Sequence, residues 1–502
     1  MKLKRLLLPS ALLALLLSVA FFARATCNPT DTGTAGNDTI VCDVANQPAV
    51  DVEGQGGDDV IIIDTGVNAP GLVSGGVATG PAAESGNDSI TINGSVAGSV
   101  LGDSSTGTGS GSDIIVNNGT VTGAVVGDAF DGTSYGSDVI INNGTVTNSL
   151  HGDTGGVSDG AGNDVIINNG TVTQSIYGDA FLGTGTGSDV ITNNGLVYGA
   201  IVGDASDGAS SGSDVIVNNG TVINSIHGDT GGTADGSGGD VIINNGTIAQ
   251  DIYGDAFLGN GTGSDAITNN GSVTNIYGDD YNNAGTGNDT ITNNGTVNNI
   301  NAGGGSDTVV INGTTSTVNG TIDGGTGYDV LTFNLTSANP DELRSWAEQI
   351  AAANPAGGTL TFNGHTYTWV NFEELTRLVF SIARINLPAD PLAVFCSLQG
   401  GIDTYAIVGQ QGTLSLGISA QQLSNGLAQA QSSGDTVLVG QSATSTVYAL
   451  ATGEVQVNTP GGFTFRFRYE GYCGALPLAV EEVETPVAEE PPFTIINQPY
   501  GG

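Results

Sequence analysis

Apolar and polar residues alternate over short stretches, and the stretches recur every 24 to 26 residues along most of the chain. In Gly136-Ser137-Asp138-Val139-Ile140-Ile141-Asn142-Asn143-Gly144-Thr145-Val146-Thr147 the alternation has the period of a β-strand. Aligned on the G-x-D motif, one apolar column contains Ile115, Ile140, Ile166, Ile191, Ile216, Ile242, Ile267 and Ile291. A second contains Val121, Val146, Val172, Val197, Val222, Ile248, Val273 and Val297. A third runs Val125, Leu150, Ile176, Ile201, Ile226, Ile252 and Ile276. Three columns per period imply three short strands per coil, each coil burying its apolar side chains against its neighbours. The fold expected is all-β: a parallel β-helix or solenoid with coils of about 25 residues, followed by a small α+β cap and a small β module.

The corners have their own chemistry. Asn-Asn-Gly recurs as Asn117-Asn118-Gly119, Asn142-Asn143-Gly144 and Asn168-Asn169-Gly170, a composition suited to tight turns. Strand alternation points the first asparagine inward, where stacked amides would satisfy one another. The same triplets often continue as Asn-Gly-Thr, a glycosylation sequon, but the turn alone explains them. A 76-residue repeat overlies the short one. Gly178-Asp179-Ala180-Phe181 recurs as Gly254-Asp255-Ala256-Phe257, and His151-Gly152-Asp153 as His227-Gly228-Asp229, as duplication of a three-coil block would give.

The flanks divide the rest. Residues 1–25 read as a signal peptide: Lys2, Lys4 and Arg5, an apolar run from Leu6 to Phe22, then Ala23-Arg24-Ala25. The solenoid is assigned to 26–336. A helix-hairpin-helix cap is assigned to 337–386, with helices at 340–353 and 372–385 and a hairpin around Asn363-Gly364. A disulfide-bracketed β module (387–476) and an acidic, proline-rich disordered tail (477–502) follow. Export permits disulfides. Four cysteines allow three connectivities, and position favours Cys27–Cys42 and Cys396–Cys473. Closing the first loop contributes about 3 kcal/mol by chain entropy. The mature chain has no segment apolar enough to cross a bilayer, and its expected location is extracellular or on the cell surface.

Charge narrows the function. The formal charge is −41, and −45 without Lys2, Lys4, Arg5 and Arg24; no Lys or Arg lies between Ala25 and Leu343. Nucleic acid is excluded as a partner, and anionic membrane is a poor one. A surface polysaccharide or another extracellular protein is the expected partner class. Each coil carries two aspartate columns. The G-x-D row is Asp113, Asp138, Asp164, Asp189, Asp214, Asp240, Asp265 and Asp289, with less regular members at Asp38, Asp59, Asp88, Asp307 and Asp329. The Gly-Asp row is Asp103, Asp128, Asp153, Asp179, Asp204, Asp229, Asp255 and Asp279. Stacked carboxylates repel by about 1 kcal/mol per neighbour even in water. With no cationic side chain available, a hard divalent cation with oxygen ligands is the natural counter-charge, and Ca2+ fits glycine-rich turns. The competing reading leaves the aspartates as solvated turn residues that also discourage edge aggregation.

Gly324-Gly325-Thr326-Gly327-Tyr328-Asp329-Val330-Leu331-Thr332 resembles the GGxGxDxUx nonapeptide of RTX-type calcium-binding repeats, and Ala302 to Asp307 misses one glycine of it. The asparagine- and glycine-rich coils of 31–335 resemble the solenoid passengers of autotransporter-type bacterial adhesins. The resemblance implies calcium at Asp307 and Asp329 with Gly303, Gly305, Gly325 and Gly327, and by extension along the G-x-D row from Asp113 to Asp289. It implies a surface scaffold or adhesin, not an enzyme. Two other classes compete. A carbohydrate-active β-helix hydrolase would need a carboxylate pair that breaks the repeat, and a lyase a basic residue that the solenoid lacks. An ice- or crystal-binding face would need ranked threonines, which lapse at Thr221-Val222-Ile223.

Overall fold

A computed structural model describes residues 26–334 apart from 79–80, 84–85, 157–158, 283–284 and 314, and then 349–350, 353–362, 364–376, 391–399, 402–409, 412–441, 446–458, 464–468 and 481–482. The chain divides into two compact units, up to Gly212 and from Ser213. Each contains parallel β-solenoid built from three sheets.

In the first unit, the first sheet takes one four-residue strand per coil. Thr39–Cys42, Val60–Ile63, Ser89–Ile92, Ile114–Asn117, Val139–Asn142, Val165–Asn168 and Val190–Asn193 follow one another in parallel. The register places Ile90, Ile115, Ile140, Ile166 and Ile191 directly over one another. The second sheet uses two-residue strands and stacks Val96, Val121, Val146, Val172 and Val197. The third stacks Val100, Val125, Leu150, Ile176 and Ile201. All three columns are inaccessible to solvent, and each buried aliphatic side chain contributes about 1.5–3 kcal/mol.

From Ile115 to Ile191 the strand ends inward, two residues beyond the isoleucine, on an asparagine, where the earlier strands have Cys42, Ile63 and Ile92. Asn117 Nδ2 donates to Asn142 Oδ1, Asn142 to Asn168 and Asn168 to Asn193, each at 2.8 Å. The expected internal amide ladder is therefore present. A second ladder runs outside it: Asn118 donates to Asn93, Asn143 to Asn118 and Asn169 to Asn143. The disulfide Cys27–Cys42 ties residues ahead of the first strand onto it.

The second unit repeats the scheme. Ile216, Ile242, Ile267, Ile291, Val309 and Leu331 form the first column, and Ile226, Ile252, Ile276, Ile300 and Ile322 the third. The ladders continue into the segment that follows. Gly357–Phe362 and His365–Val370 form an antiparallel hairpin, and its second strand pairs in parallel with Thr321–Asp323. Phe362, Tyr367 and Trp369 pack around Phe333. The helix expected over 372–385 does not form where it is described: Glu374–Thr376 is a strand beside Val330–Thr332, because a ready-made parallel edge offers those residues hydrogen bonds. The rest of that helix, and most of the one at 340–353, lie outside the described residues.

The C-terminal part has a three-stranded antiparallel sheet (Pro391–Gln399, Ile402–Gly409, Gly412–Ser419) and a further antiparallel sheet beginning at Val437–Gln441. Between them lies a helix the sequence reading did not foresee, Ala420–Ser433, which buries Leu423, Leu427 and Ala430. Cys473 lies outside the described residues, so the pairing with Cys396 does too. Of the tail, Glu481–Glu482 pair with Phe465–Arg466. No helix of the described residues is long and apolar enough to cross a membrane.

Candidate metal centre

Each coil reaches the first sheet through the G-x-D aspartate, whose side chain turns inward. Its Oδ1 accepts the backbone N–H of the matching aspartate one coil earlier. Asp88 N–H donates to Asp113 (2.6 Å), Asp113 to Asp138 and Asp138 to Asp164 (2.7 Å each), and Asp164 to Asp189 (2.7 Å). In the second unit the chain of donors runs Asp240 to Asp265, Asp289, Asp307 and Asp329. It closes on Glu373, whose Oε2 accepts the Asp329 N–H at 2.7 Å.

The Gly-Asp row is anchored differently. It opens an excursion that leaves the third sheet and returns, ten or eleven residues later, as the G-x-D aspartate. Its Oδ2 accepts N–H groups from the returning chain. Ser110 and Gly111 donate to Asp103, Tyr135 and Gly136 to Asp128, Ala161 and Gly162 to Asp153, and Thr186 and Gly187 to Asp179.

Both rows thus spend one oxygen on backbone and turn the other inward. Asp103 Oδ1, Asp113 Oδ2, Asp128 Oδ1, Asp138 Oδ2, Asp153 Oδ1, Asp164 Oδ2 and Asp179 Oδ1 are buried with no hydrogen-bond partner. Asp240, Asp255, Asp265, Asp289, Asp307 and Asp329 in the second unit repeat this. The rows interleave into triads whose candidate ligand oxygens lie within 4.8 Å of one another: Asp88–Asp103–Asp113, Asp113–Asp128–Asp138, Asp138–Asp153–Asp164 and Asp164–Asp179–Asp189. Glycine makes the room. A Cβ on Gly127 would stand 1.8 Å from the Gly152 carbonyl oxygen and 2.2 Å from Asp138 Oδ2, and Gly102 and Gly152 are hemmed in the same way.

The reading of these aspartates as solvated turn residues is overturned, since Asp113, Asp138 and Asp164 are each 1% exposed. Burial, joined by the charges of the other row, pushes the carboxyls of Asp113, Asp138 and Asp164 well above the usual carboxylate range. Asp128 rises to about 8 and Asp255 to about 11, again chiefly through burial. A buried polar atom without a partner costs about 1–3 kcal/mol, and a charged one more. The row must therefore either hold protons, shared between facing carboxyls such as Asp103 and Asp128, or take up a counter-charge that the side chains do not supply.

Among the expected site residues, the structure brings the G-x-D aspartates together with the Gly-Asp row, a second column that the sequence resemblance does not assign to the site. The constant excursion between paired aspartates was the signal: a fixed length of chain that leaves and returns to one corner. Asp307 and Asp329 sit at the tight turns that the nonapeptide forms, with Gly303, Gly305, Gly325 and Gly327 all at positive φ. Burial lifts them less, to about 7 and about 6. Asp279 ends the second row, because Gly287 and Gly304 N–H groups occupy both its oxygens. The histidines stand apart from the carboxylates. His151 is stacked on Tyr177 and bonded to Ser149 (2.6 Å), His227 is stacked on Tyr253, and burial drops both to about 3.

All-carboxylate ligation without thiol or imidazole suits a hard cation. Mg2+ retains waters in a strict octahedron, whereas Ca2+ accepts irregular cages of protein oxygens. Compared with known proteins, the chain matches no family model, no curated protein and no solved structure.

Proposed function

We propose that this protein is an exported, cell-surface or extracellular scaffold whose solenoid is completed by a file of calcium ions along the interleaved aspartate rows. One observation carries the reading: the rows each leave one buried carboxylate oxygen without a partner, coil after coil, and those oxygens converge. Charge balance supports a divalent ion. Two carboxylates per coil and one divalent cation per coil sum to zero, whereas a monovalent ion would leave a buried negative charge at every level.

The role proposed is structural, not catalytic. The converging carboxylates repeat in register and lie out of reach of a polymeric substrate, as a stiffening element requires. The signal-peptide pattern of residues 1–25 and the Cys27–Cys42 disulfide support export. An adhesin-like role follows from the length of repetitive surface offered to a polysaccharide or protein partner. Melting the mature protein with calcium and with chelator tests the metal. Calcium is expected to raise the melting temperature by 10 °C or more, on the order of several kcal/mol of linkage. Equal melting temperatures would end the proposal. Cell fractionation tests export, and a cytoplasmic pool alone would refute it.

A further inference from the structure

The ion file raises a question of access. A calcium sensor keeps its ligands on a surface loop, so that ions come and go without unfolding. Among the described residues of the long coils the ligand atoms have no such route. Asp103, Asp128, Asp153 and Asp179 have no exposed surface, and their partners Asp113, Asp138 and Asp164 almost none. On the outer side the returning excursion is tied down by two N–H donors to each Gly-Asp carboxylate. Along the axis, successive coils touch backbone to backbone. The carbonyl of Gly178 stands 1.8 Å from where a Cβ of Gly152 would lie, and that of Gly152 equally close to a Cβ of Gly127. In the second unit the Gly-Asp row is closed at its end, where buried N–H groups of Gly287 and Gly304 occupy both oxygens of Asp279.

We infer that the cations are occluded: they enter as the coils close during folding and stay until the coils part. The inference rests on the calcium reading above and deepens it, because it makes the row a co-folding element and not a calcium sensor. An ion can leave only when two coils separate far enough to break the interstrand hydrogen bonds flanking it. The rate of release is then the rate of coil opening. Ion content is fixed at folding.

The test uses the mature full chain refolded in radioactive calcium, stripped of loose ions over chelating resin, and chased with excess unlabelled calcium. Expected is retention of at least four ions per chain, matching the four triads of the first unit. Their loss should follow opening of the coils, measured in parallel by hydrogen exchange of the Val139–Asn142 and Val165–Asn168 amides, and mild denaturant should speed both by the same factor. Retained calcium that exchanges faster than those amides while circular dichroism stays native would overturn occlusion and leave the calcium reading standing. Refolded protein that never takes up calcium would overturn both.

Discussion

The coils with long excursions and the coils with tight turns answer the same problem differently. Between Gly102 and Asp189 each coil spends ten or eleven residues passing from one aspartate to the next, and so places two carboxylates at one level. The excursions also cover the outer face of the third sheet, where Leu101, Val126, His151 and Tyr177 are buried. At Gly303–Asp307 and Gly325–Asp329 the same passage takes a few residues, made possible by glycines at positive φ, and of the two rows only the G-x-D aspartate remains. The sequence motif most suggestive of calcium marks the sparser of the two arrangements. Depth of burial and number of converging oxygens favour the long coils, and the contrast can be broken experimentally.

The largest expected effect comes from removing metal from the long coils while varying pH. Without cations the row must carry protons. Asp128 and Asp289 have folded-state values near 8, and Asp113, Asp138 and Asp164 lie well above the usual range. The unfolded chain releases those protons near pH 4, so from there upward it binds fewer than the folded chain. Stability of the chelated protein should therefore fall as pH rises from about 4 to about 8. Calcium-saturated protein should instead hold its stability up to pH 8. Melting curves at pH 5 and 8, with calcium and with chelator, give the four numbers. A chelated protein more stable at pH 8 than at pH 5 would show that the rows are not proton-filled.

Next in size is the loss of one long-coil carboxylate. Asp164→Ala removes the acceptor of the Asp138 N–H and a ligand from two triads, and should cost about 3–5 kcal/mol in calcium. Asp164→Asn keeps the acceptor but not the charge. It should weaken the calcium form by about 2 kcal/mol and leave the chelated form at pH 8 unchanged or firmer, since one repelling carboxylate is gone. Equal loss in both forms would assign Asp164 a purely hydrogen-bonding role. Hydrogen exchange of the Val139–Asn142 and Val165–Asn168 amides is a suitable readout, because a repetitive array need not unfold in one step.

A third substitution probes the inner amide ladder, which the long coils carry and which gives way to Ile311 and Phe333 in the tight-turn coils. Asn142→Ala leaves Asn117 Nδ2 and Asn168 Oδ1 without each other's link and should cost about 2 kcal/mol whether or not calcium is present. Dependence of that loss on calcium would couple the ladder to the metal row and blur the division drawn above.

What the sequence made legible follows the same division. Repetition displayed the columns: Ile115, Ile140 and Ile166 recur at one phase of a period-two alternation, and a side chain repeated at that phase has nowhere to go but onto its own copy. The inward asparagine was readable for the same reason. Burial of the aspartates was not, because Asp between glycines has the composition of a solvated turn, and only the structure shows the excursion folding back to enclose it. Glu373 was invisible since it belongs to no repeat, and it enters the row only because Glu374–Thr376 joins the first sheet. Apolar spacing around Phe372 suited a helix, and a waiting parallel edge at Val330–Thr332 overrode it. The helix Ala420–Ser433 had legible signals in Ser419 ahead of it and in Leu423, Leu427 and Ala430 along one face, hidden among β-like neighbours.

The smallest expected effect lies at the tight-turn end, and it sets the scale for the rest. Glu373→Ala removes the acceptor of the Asp329 N–H at a partly buried position, beside Tyr328, which is 55% exposed. Water can reach this turn, so the freed donor is partly compensated and the loss should be about 1 kcal/mol. Glu373→Gln keeps an oxygen at the same place and should cost less still. Because Asp329 is raised only to about 6, its neighbourhood should respond to pH between about 4 and 6, and not up to 8 as the long coils do. Proteolysis of the 323–334 segment at graded pH, with chelator present, reports that window. If Glu373→Ala destabilised the chain as much as Asp164→Ala, the two kinds of coil would be energetically alike, and the extra aspartate of the long coils would have no stabilising role.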